Sequence, residues 1–558
     1  MRKIYIFIAS AILSIALAPS TSAQTVNFGG AAFNNDIIGW GDLYNLSYTA
    51  HNYGTARSMA MGNAFTALGA DMASASINPA GIGMYIRSDV SFTPIMQFVK
   101  SPTEGAEINN SNAFKEESNR FGMASAGGVF TAYRGTGALT NFNIGFVYNR
   151  IADFNHSYKY ASLGNEATCS MANLFCTLSN VDGLQTDNDG RMSFGNDPYY
   201  WGAVLAYKNG LTNKDAEGWY IDRIGLGAEV DQYTAVETRG SVGEFAIPIG
   251  FNFKDVFYLG ATLGIQSVEY KKMVFYGENY IYPNNSYPSG KEMPYQLDYM
   301  NYQQTTHLSG SGVNFKIGMT VRPLPWLRIG IAYHTPTAYS LSLRYSADMW
   351  SETYSTGDNP DGYDIDKDGY MYDYVESPEW EDAGEYSWDY RSPSRLLVGA
   401  SVTIAKRLIL SADYERSWYQ STRLTSSPID GLTYGYTSTI KEQFRASNTL
   451  RAGIEFRALP SMDIRAGYIF SDGGIRNSDQ IFTHPLITRE SYITAGLGFK
   501  LGTTTYLDLA YQYNERERTL YQSFYATDSA NPELNIESVP VRTNSYRHVA
   551  VLTLGFRF

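Results

Sequence analysis

The carboxyl-terminal stretch 547–558 alternates strictly, with His548, Ala550, Leu552, Leu554, Phe556 and Phe558 on one face and Arg547, Thr553, Gly555 and Arg557 on the other. An extended chain sends successive side chains to opposite faces, so this is a strand with one oily and one cationic side. A soluble barrel needs its apolar side inside as a core. A barrel in a bilayer needs it outside, with polar and charged groups in the lumen.

The pattern recurs along the chain. Phe142, Ile144, Phe146 and Tyr148 alternate with Asn141, Asn143, Gly145 and Asn149. Val313, Phe315, Ile317, Met319 and Val321 alternate with Asn314, Lys316, Gly318, Thr320 and Arg322, and Leu450, Ala452, Ile454 and Phe456 with Arg451, Gly453, Glu455 and Arg457. A sandwich with one wet face rarely repeats Arg and Glu on the same side over so many long strands. The segments predict strands near 88–98, 120–133, 140–154, 244–253, 256–271, 308–322, 326–345, 394–405, 407–424, 441–457, 461–474, 488–501, 504–519 and 542–558. The fold class is therefore all-β, a transmembrane antiparallel β-barrel of about fourteen strands, an even number as bacterial barrels require. Short turns near 134–139, 254–255, 323–325, 406, 458–460 and 502–503 alternate with long loops at 155–243, 272–307 and 346–393, the asymmetry expected between periplasmic and external ends.

The amino terminus reads as an export signal. Arg2 and Lys3 precede an apolar run from Ile4 to Leu17, and Pro19, Thr21, Ser22 and Ala23 lead to Gln24. That places a leader at 1–23 and a mature start at Gln24. Beyond it no window approaches the ~20 apolar residues of a spanning helix, and mean hydropathy is -0.27. Residues 24–87 do not alternate. Ala56–Leu68 predicts a short helix interrupted by Gly62, and the segment must lie in the periplasm or inside the lumen. We read 24–87 as a plug, or hatch, and 88–558 as the barrel, expected to be a monomer in the cell outer membrane, in contact with its lipid and lipopolysaccharide.

A net charge of -12 excludes a nucleic-acid partner, since no basic stripe exists to neutralise phosphates. Tyrosine, at 45 residues, suits a protein with two membrane interfaces. Cys169 and Cys176 in an exported chain predict a short disulfide, two thiols being the alternative. Asp364, Asp366, Asp368, Gly369 and Tyr370 resemble the first half of a Ca2+ loop, with carboxylates at positions one, three and five and a carbonyl at seven. Position twelve is Val375 instead of Glu, so the alternative is a solvated acidic loop. No zinc-protease, P-loop or nucleophile-elbow motif is present, and no enzyme activity or other cofactor is expected.

The most informative stretch is Gly69–Gly83, in which Asp71, Ala73, Ser74, Ala75 and Ser76 lead to Asn78, Pro79, Ala80 and Gly81. It resembles the hatch signature of the FadL family of outer-membrane transporters for long-chain fatty acids and aromatic hydrocarbons. Detailed likeness is confined to this stretch, while strand count and the terminal Phe558 agree in architecture. The resemblance implies capture of a hydrophobic compound by external loops, a pocket beside the hatch lined by Met59, Met61, Phe65 and Leu68, and a sideways exit through the wall. Two features depart from the family: the longer segment before the motif and the long stretch 155–243. Some family members are labelled haemin receptors, but the six His show no paired spacing for haem. Trp350, Tyr354, Trp380, Tyr386 and Trp388 are candidate capture residues, with interface anchoring the alternative. Pro248 would remove a ladder donor from its strand and mark either a wall defect or a harmless bulge. A structural or assembly barrel that binds partner proteins is the competing reading.

Overall fold

Each predicted strand places its polar row against the polar row of its neighbour, and the sheet can satisfy both edges only by closing on itself. The computed structural model describes residues 31–33, 39–48, 53–105, 115–166, 169–180, 186, 192–195, 198–214, 218–222, 224, 228–282, 295–355, 370–378, 380–381, 388–426, 432–526 and 536–558. The predicted leader lies outside them. In it, fourteen antiparallel strands form a closed barrel. They are β1 Asp89–Gly105, β2 Lys115–Arg134, β3 Leu139–Asp153, β4 Glu229–Phe253, β5 Phe257–Ile281, β6 Tyr295–Leu324 and β7 Leu327–His334. The circuit continues through β8 Arg395–Ile404, β9 Leu408–Trp418, β10 Ala446–Leu459, β11 Met462–Ser471, β12 Ile487–Leu501, β13 Thr505–Arg518 and β14 Ser545–Arg557. β14 pairs with β1 from Asp89↔Arg557 to Lys100↔Tyr546, and the Arg557–Asp89 ion pair at 2.9 Å sits at that seam.

The faces are those the alternation predicts. Phe92, Met96, Phe146, Phe245, Leu263, Phe315, Ile317, Leu450, Ile493, Leu552 and Phe556 point outward and are exposed, giving the wall an apolar belt. Inside, Lys316 meets Glu244 at 2.5 Å, Arg451 meets Glu415 at 2.6 Å, and Arg465 bridges Glu455 at 2.7 Å and Asp508 at 2.5 Å. Burying such charges is tolerable only because each is paired and hydrogen-bonded.

The strands run well past the belt. β4 begins at Glu229, β5 ends at Ile281 and β6 begins at Tyr295, so both ends of the expected loop 155–243 and most of 272–307 are strand. The alternation persists there with its phase reversed: Val268, Tyr270 and Tyr276 face inward and are buried, while Glu269 and Lys271 face water. Above the bilayer the outside is water and the inside can be a core, so a search for apolar-out strands stops at the membrane edge. Helices α3 Met171–Ser179 and α4 Trp201–Lys208 add to this external core. A further helix, Leu432–Gln443, takes up the start of the strand predicted at 441–457.

Three strands break near one level. β3 stops at Asp153 and the chain resumes pairing with β4 from His156 to Glu166; β7 stops at His334 and resumes at Ala338–Ser355; Trp388–Arg391 precedes β8. Pro336 and Pro393, which lack the ladder N–H, lie at the second and third breaks. Pro248 sits buried in β4 and its ring packs near Gly145, where the β3–β4 ladder skips between Ile144↔Ile249 and Val147↔Ala246; the pairing with β5 is continuous.

Candidate functional site

Residues 53–86 cross the lumen, held by caps of their own and by the wall. In α2 Ala56–Ala60, Thr55 is the N-cap, and its hydroxyl donates to Asp71 at 2.8 Å. Asp71 in turn caps the 3-10 turn Met72–Ala75 by accepting from the Ala73 amide at 2.9 Å. Asn78 caps the next 3-10 turn, Pro79–Met84, with Pro79 at its first position, where a missing N–H costs nothing. Asn78 Oδ1 accepts from the Ala80 amide at 3.0 Å, and its Nδ2 donates to the Thr66 carbonyl at 2.5 Å and to Thr320 Oγ1 at 3.2 Å. Gly81 accepts from the Ala70 amide at 3.0 Å, so the Asn-Pro-Ala-Gly run folds back against Gly69.

The wall receives this backbone on glycines. Gly250, Gly260 and Gly318 are register partners across β4, β5 and β6. A Cβ on them would overlap Gly83, Pro79 and Asn78 respectively. Gly330 and Gly399 pair across β7 and β8 beneath Thr66, and Gly453 and Gly467 across β10 and β11 beneath Met61 and Gly62. Between them, side chains bind the backbone. Ala56 N donates to Thr553 Oγ1 at 2.7 Å, Thr66 N to Asp413 Oδ2 at 2.7 Å, Gln512 Nε2 to the Met59 carbonyl at 2.9 Å and Asn141 Nδ2 to the Gly83 carbonyl at 2.9 Å. Read from the strand alone, Gly496 serves barrel curvature; in the fold it faces the Ala60 methyl.

Met59, Met61, Phe65 and Leu68, expected beside a pocket at the hatch, line neither of the two cavities described below. Each is at most 2% exposed. Met59 packs with Ile95, Ala510 and Val549, and the other three with Ile77, Ala332 and Leu397. Small wall residues let the side chains reach the wall, which leaves them as core.

The cavity lies nearer the loop end, between α1 Trp40–Ser47 and the wall, with a volume of about 70 Å³. Its sides are Tyr48, Tyr53, Phe154, Tyr158, Tyr270 and Tyr492, and four cations, Lys272, Arg516, Arg518 and Arg547, meet three carboxylates, Asp42, Asp153 and Glu490. Lys272 Nζ and the Tyr270 hydroxyl both donate to Asp42 at 2.8 Å. Burial opposes ionisation of Asp42, yet Lys272 and His484 beside it hold its carboxyl well below the usual range. Arg516 donates to Glu490 at 2.5 Å, and Arg547 to Asp153 at 3.3 Å. Arg518, 4% exposed, donates only to neutral oxygens, the Thr543 carbonyl at 3.2 Å and Ser545 Oγ at 3.0 Å. Among the described residues it has no carboxylate partner. His156 Nε2 also lacks a hydrogen-bond partner there.

Phe154 brings this cavity to a seam in the wall. The β2–β3 ladder ends at Ser125↔Asn149. Beyond it, among the described residues, β2 pairs only with β1, and residues 152–166 only with β4. The Tyr53 amide of the lumen segment donates to the Arg150 carbonyl of β3 at 2.9 Å, and Arg120 of β2 reaches Glu237 of β4 at 3.2 Å, so an ion pair crosses where a ladder would run.

A plugged, closed barrel of this shape has solved counterparts. A Pseudomonas aeruginosa FadL homologue superposes with a TM-score of 0.50 at 13% identity, over 92% of this chain and 100% of its own. The chain has the FadL-type fold. The FadL-type barrel is also similar to the P. putida toluene transporter TodX (TM-score 0.47, 12% identity, 92% of this chain and 99% of that one) and the Ralstonia pickettii toluene transporter TbuX (0.43, 15%, 92% and 100%). No family model matches the sequence, and no curated protein does so.

Two other expectations fall elsewhere. The Cys169–Cys176 disulfide is not formed. Cys176 is buried within α3, and Cys169 precedes the Ser170 N-cap; the five helical steps from Met171 to Cys176 alone rise about 7.5 Å, beyond the ~7 Å between Cα atoms that a disulfide spans. Asp364, Asp366 and Asp368 lie outside the described residues, and Tyr370 opens a strand, Tyr370–Glu376, paired with 348–354. Of the candidate capture residues, Trp388 is 1% exposed and belongs to the external core. The cavity residues carried no sequence signal, because they come from strand tops and loops far apart in the chain.

Proposed function

We propose that this FadL-type barrel carries hydrophobic compounds with an acidic head, long-chain fatty acids foremost, across the outer membrane, and that they leave sideways between β2 and β3. Arg518 carries the proposal. A buried cation that no carboxylate hydrogen-bonds is costly, and a carboxylate arriving beside it would supply the pair, with tyrosine and phenylalanine rings for the first methylenes. A volume of about 70 Å³ takes a head group and not a long tail. The tail would follow the unpaired stretch of wall toward lipid, each methylene gaining about 0.8 kcal/mol on leaving water. The lumen segment acts as a fixed hatch that denies the direct route, and the barrel works as a monomer amid outer-membrane lipid and lipopolysaccharide.

Palmitate uptake by liposomes containing the purified protein tests this. Arg518→Gln is expected to lower uptake about tenfold, the value of one charge-assisted hydrogen bond. Equal uptake by both proteins removes the head-group role, and no uptake by either removes transport. The dense packing of Met59, Met61, Phe65 and Leu68 favours the second reading, an assembly barrel that binds partner proteins, and that reading predicts no uptake.

A further inference from the structure

A second and larger cavity, about 480 Å³, opens at the short-turn end of the barrel, beneath the lumen segment. Its volume is in the range of small-molecule sites. Its deep wall is electrically balanced. Arg57 makes a two-pronged contact with Glu455, Nε to Oε2 at 2.9 Å and Nη2 to Oε1 at 3.1 Å, and Arg465 takes Glu455 and Asp508. Two guanidinium groups thus meet two carboxylates, all largely out of water.

The mouth is not balanced. Arg87, Arg457, Lys500 and Arg557 stand around it, and Asp463 and Asp89 are the carboxylates that reach them. Arg557 is held by Asp89 at 2.9 Å, whereas Arg457 is 3.4 Å and Lys500 3.9 Å from the one Asp463, which Arg465 also approaches at 3.7 Å. Arg87 makes no ion pair among the described residues. A single carboxylate shared three ways leaves Lys500 and Arg87 with donors to spare, in a concave site whose low-dielectric walls concentrate the field.

The same mouth presents apolar surface. Ile86 is 60% exposed beside Tyr85, and the Arg557 guanidinium lies 4.5 Å over the Tyr506 ring. Greasy and cationic groups facing one water-filled space match a ligand that has both an apolar body and negative charge.

We propose that this cavity is a binding site for a small organic anion with an aromatic or aliphatic body, entered from the periplasmic end, with Arg87 and Lys500 holding the anionic group and Ile86 and Tyr506 the body. It shares no lining residue with the upper cavity, and stands whether or not that cavity takes a substrate.

Phenyl phosphate, titrated calorimetrically into the full detergent-solubilised chain at low salt, is the probe, with benzyl alcohol as its neutral counterpart. Phenyl phosphate is expected to bind, more weakly as salt screens the mouth, and benzyl alcohol at least about tenfold more weakly. The double variant Arg87→Gln, Lys500→Gln is expected to lose about tenfold or more in affinity, while Arg87→Lys, Lys500→Arg keeps most of it. Thr503→Trp, which fills the mouth from an exposed turn without changing charge, is expected to weaken binding too. Arg518→Gln is expected to leave it unchanged. The proposal is overturned if wild type does not bind phenyl phosphate, if Arg87→Gln, Lys500→Gln and Thr503→Trp bind as wild type, or if Arg518→Gln alone abolishes binding.

Discussion

Gly260 of β5 lies so close beneath the Pro79 carbonyl that a single methyl group on it would occupy the same space. Its register partner Gly250 stands in the same relation to the Gly83 backbone, and Gly318 to the Asn78 side chain. The wall is thus cut to the backbone of the lumen segment, and the segment is not a loose stopper. Gly260→Val is expected to prevent that docking, since the obstacle is backbone and cannot rotate away. The check is the heat-dependent electrophoretic shift of the folded barrel, which should be lost or should appear at markedly lower temperature.

Asn78→Ala removes two donors and the cap acceptor of the Pro79–Met84 turn at once. The Thr66 carbonyl is left buried without this partner. A loss of about 1–3 kcal/mol follows, to be read from the urea midpoint of the refolded protein. Asn78→Asp should not rescue it, because a carboxylate places an acceptor opposite the Thr66 carbonyl.

Asp42 gives a pH signature. Its folded carboxyl titrates below the unfolded value of about 3.9, so its pairing with Lys272 stabilises fully above that value and is lost progressively as pH falls from there toward the lower, folded value. Asp42→Asn is expected to cost about 3 kcal/mol at neutral pH. The difference in Tm between the two proteins should be constant above about pH 5 and should shrink below about pH 4. A gap that stayed constant down to pH 2 would contradict the assignment.

Cys176 should resist maleimide in the folded protein. Its thiol is buried in α3, and burial pushes it well above the usual thiol range, so little thiolate exists to react. Labelling after denaturation without a reductant should be complete, and mobility on a non-reducing gel should match that of the Cys169→Ser variant.

The sequence by itself determined the wall. Alternation such as Val313–Val321 or His548–Phe558 reports which side of a strand meets lipid, because each side chain feels the bilayer directly and locally. Six short turns fall within a residue or two of their predicted places for the same reason. Tertiary structure decided what the lumen holds. Whether Gly496 eases curvature or faces Ala60, whether Met59 lines a cavity or packs on Ala510, and whether Arg518 finds a partner are all decided by residues on other elements of the fold. The reversed phase of Tyr270 and Lys271 was likewise invisible until β5 was known to rise past the membrane, where water lies outside and a core can form within.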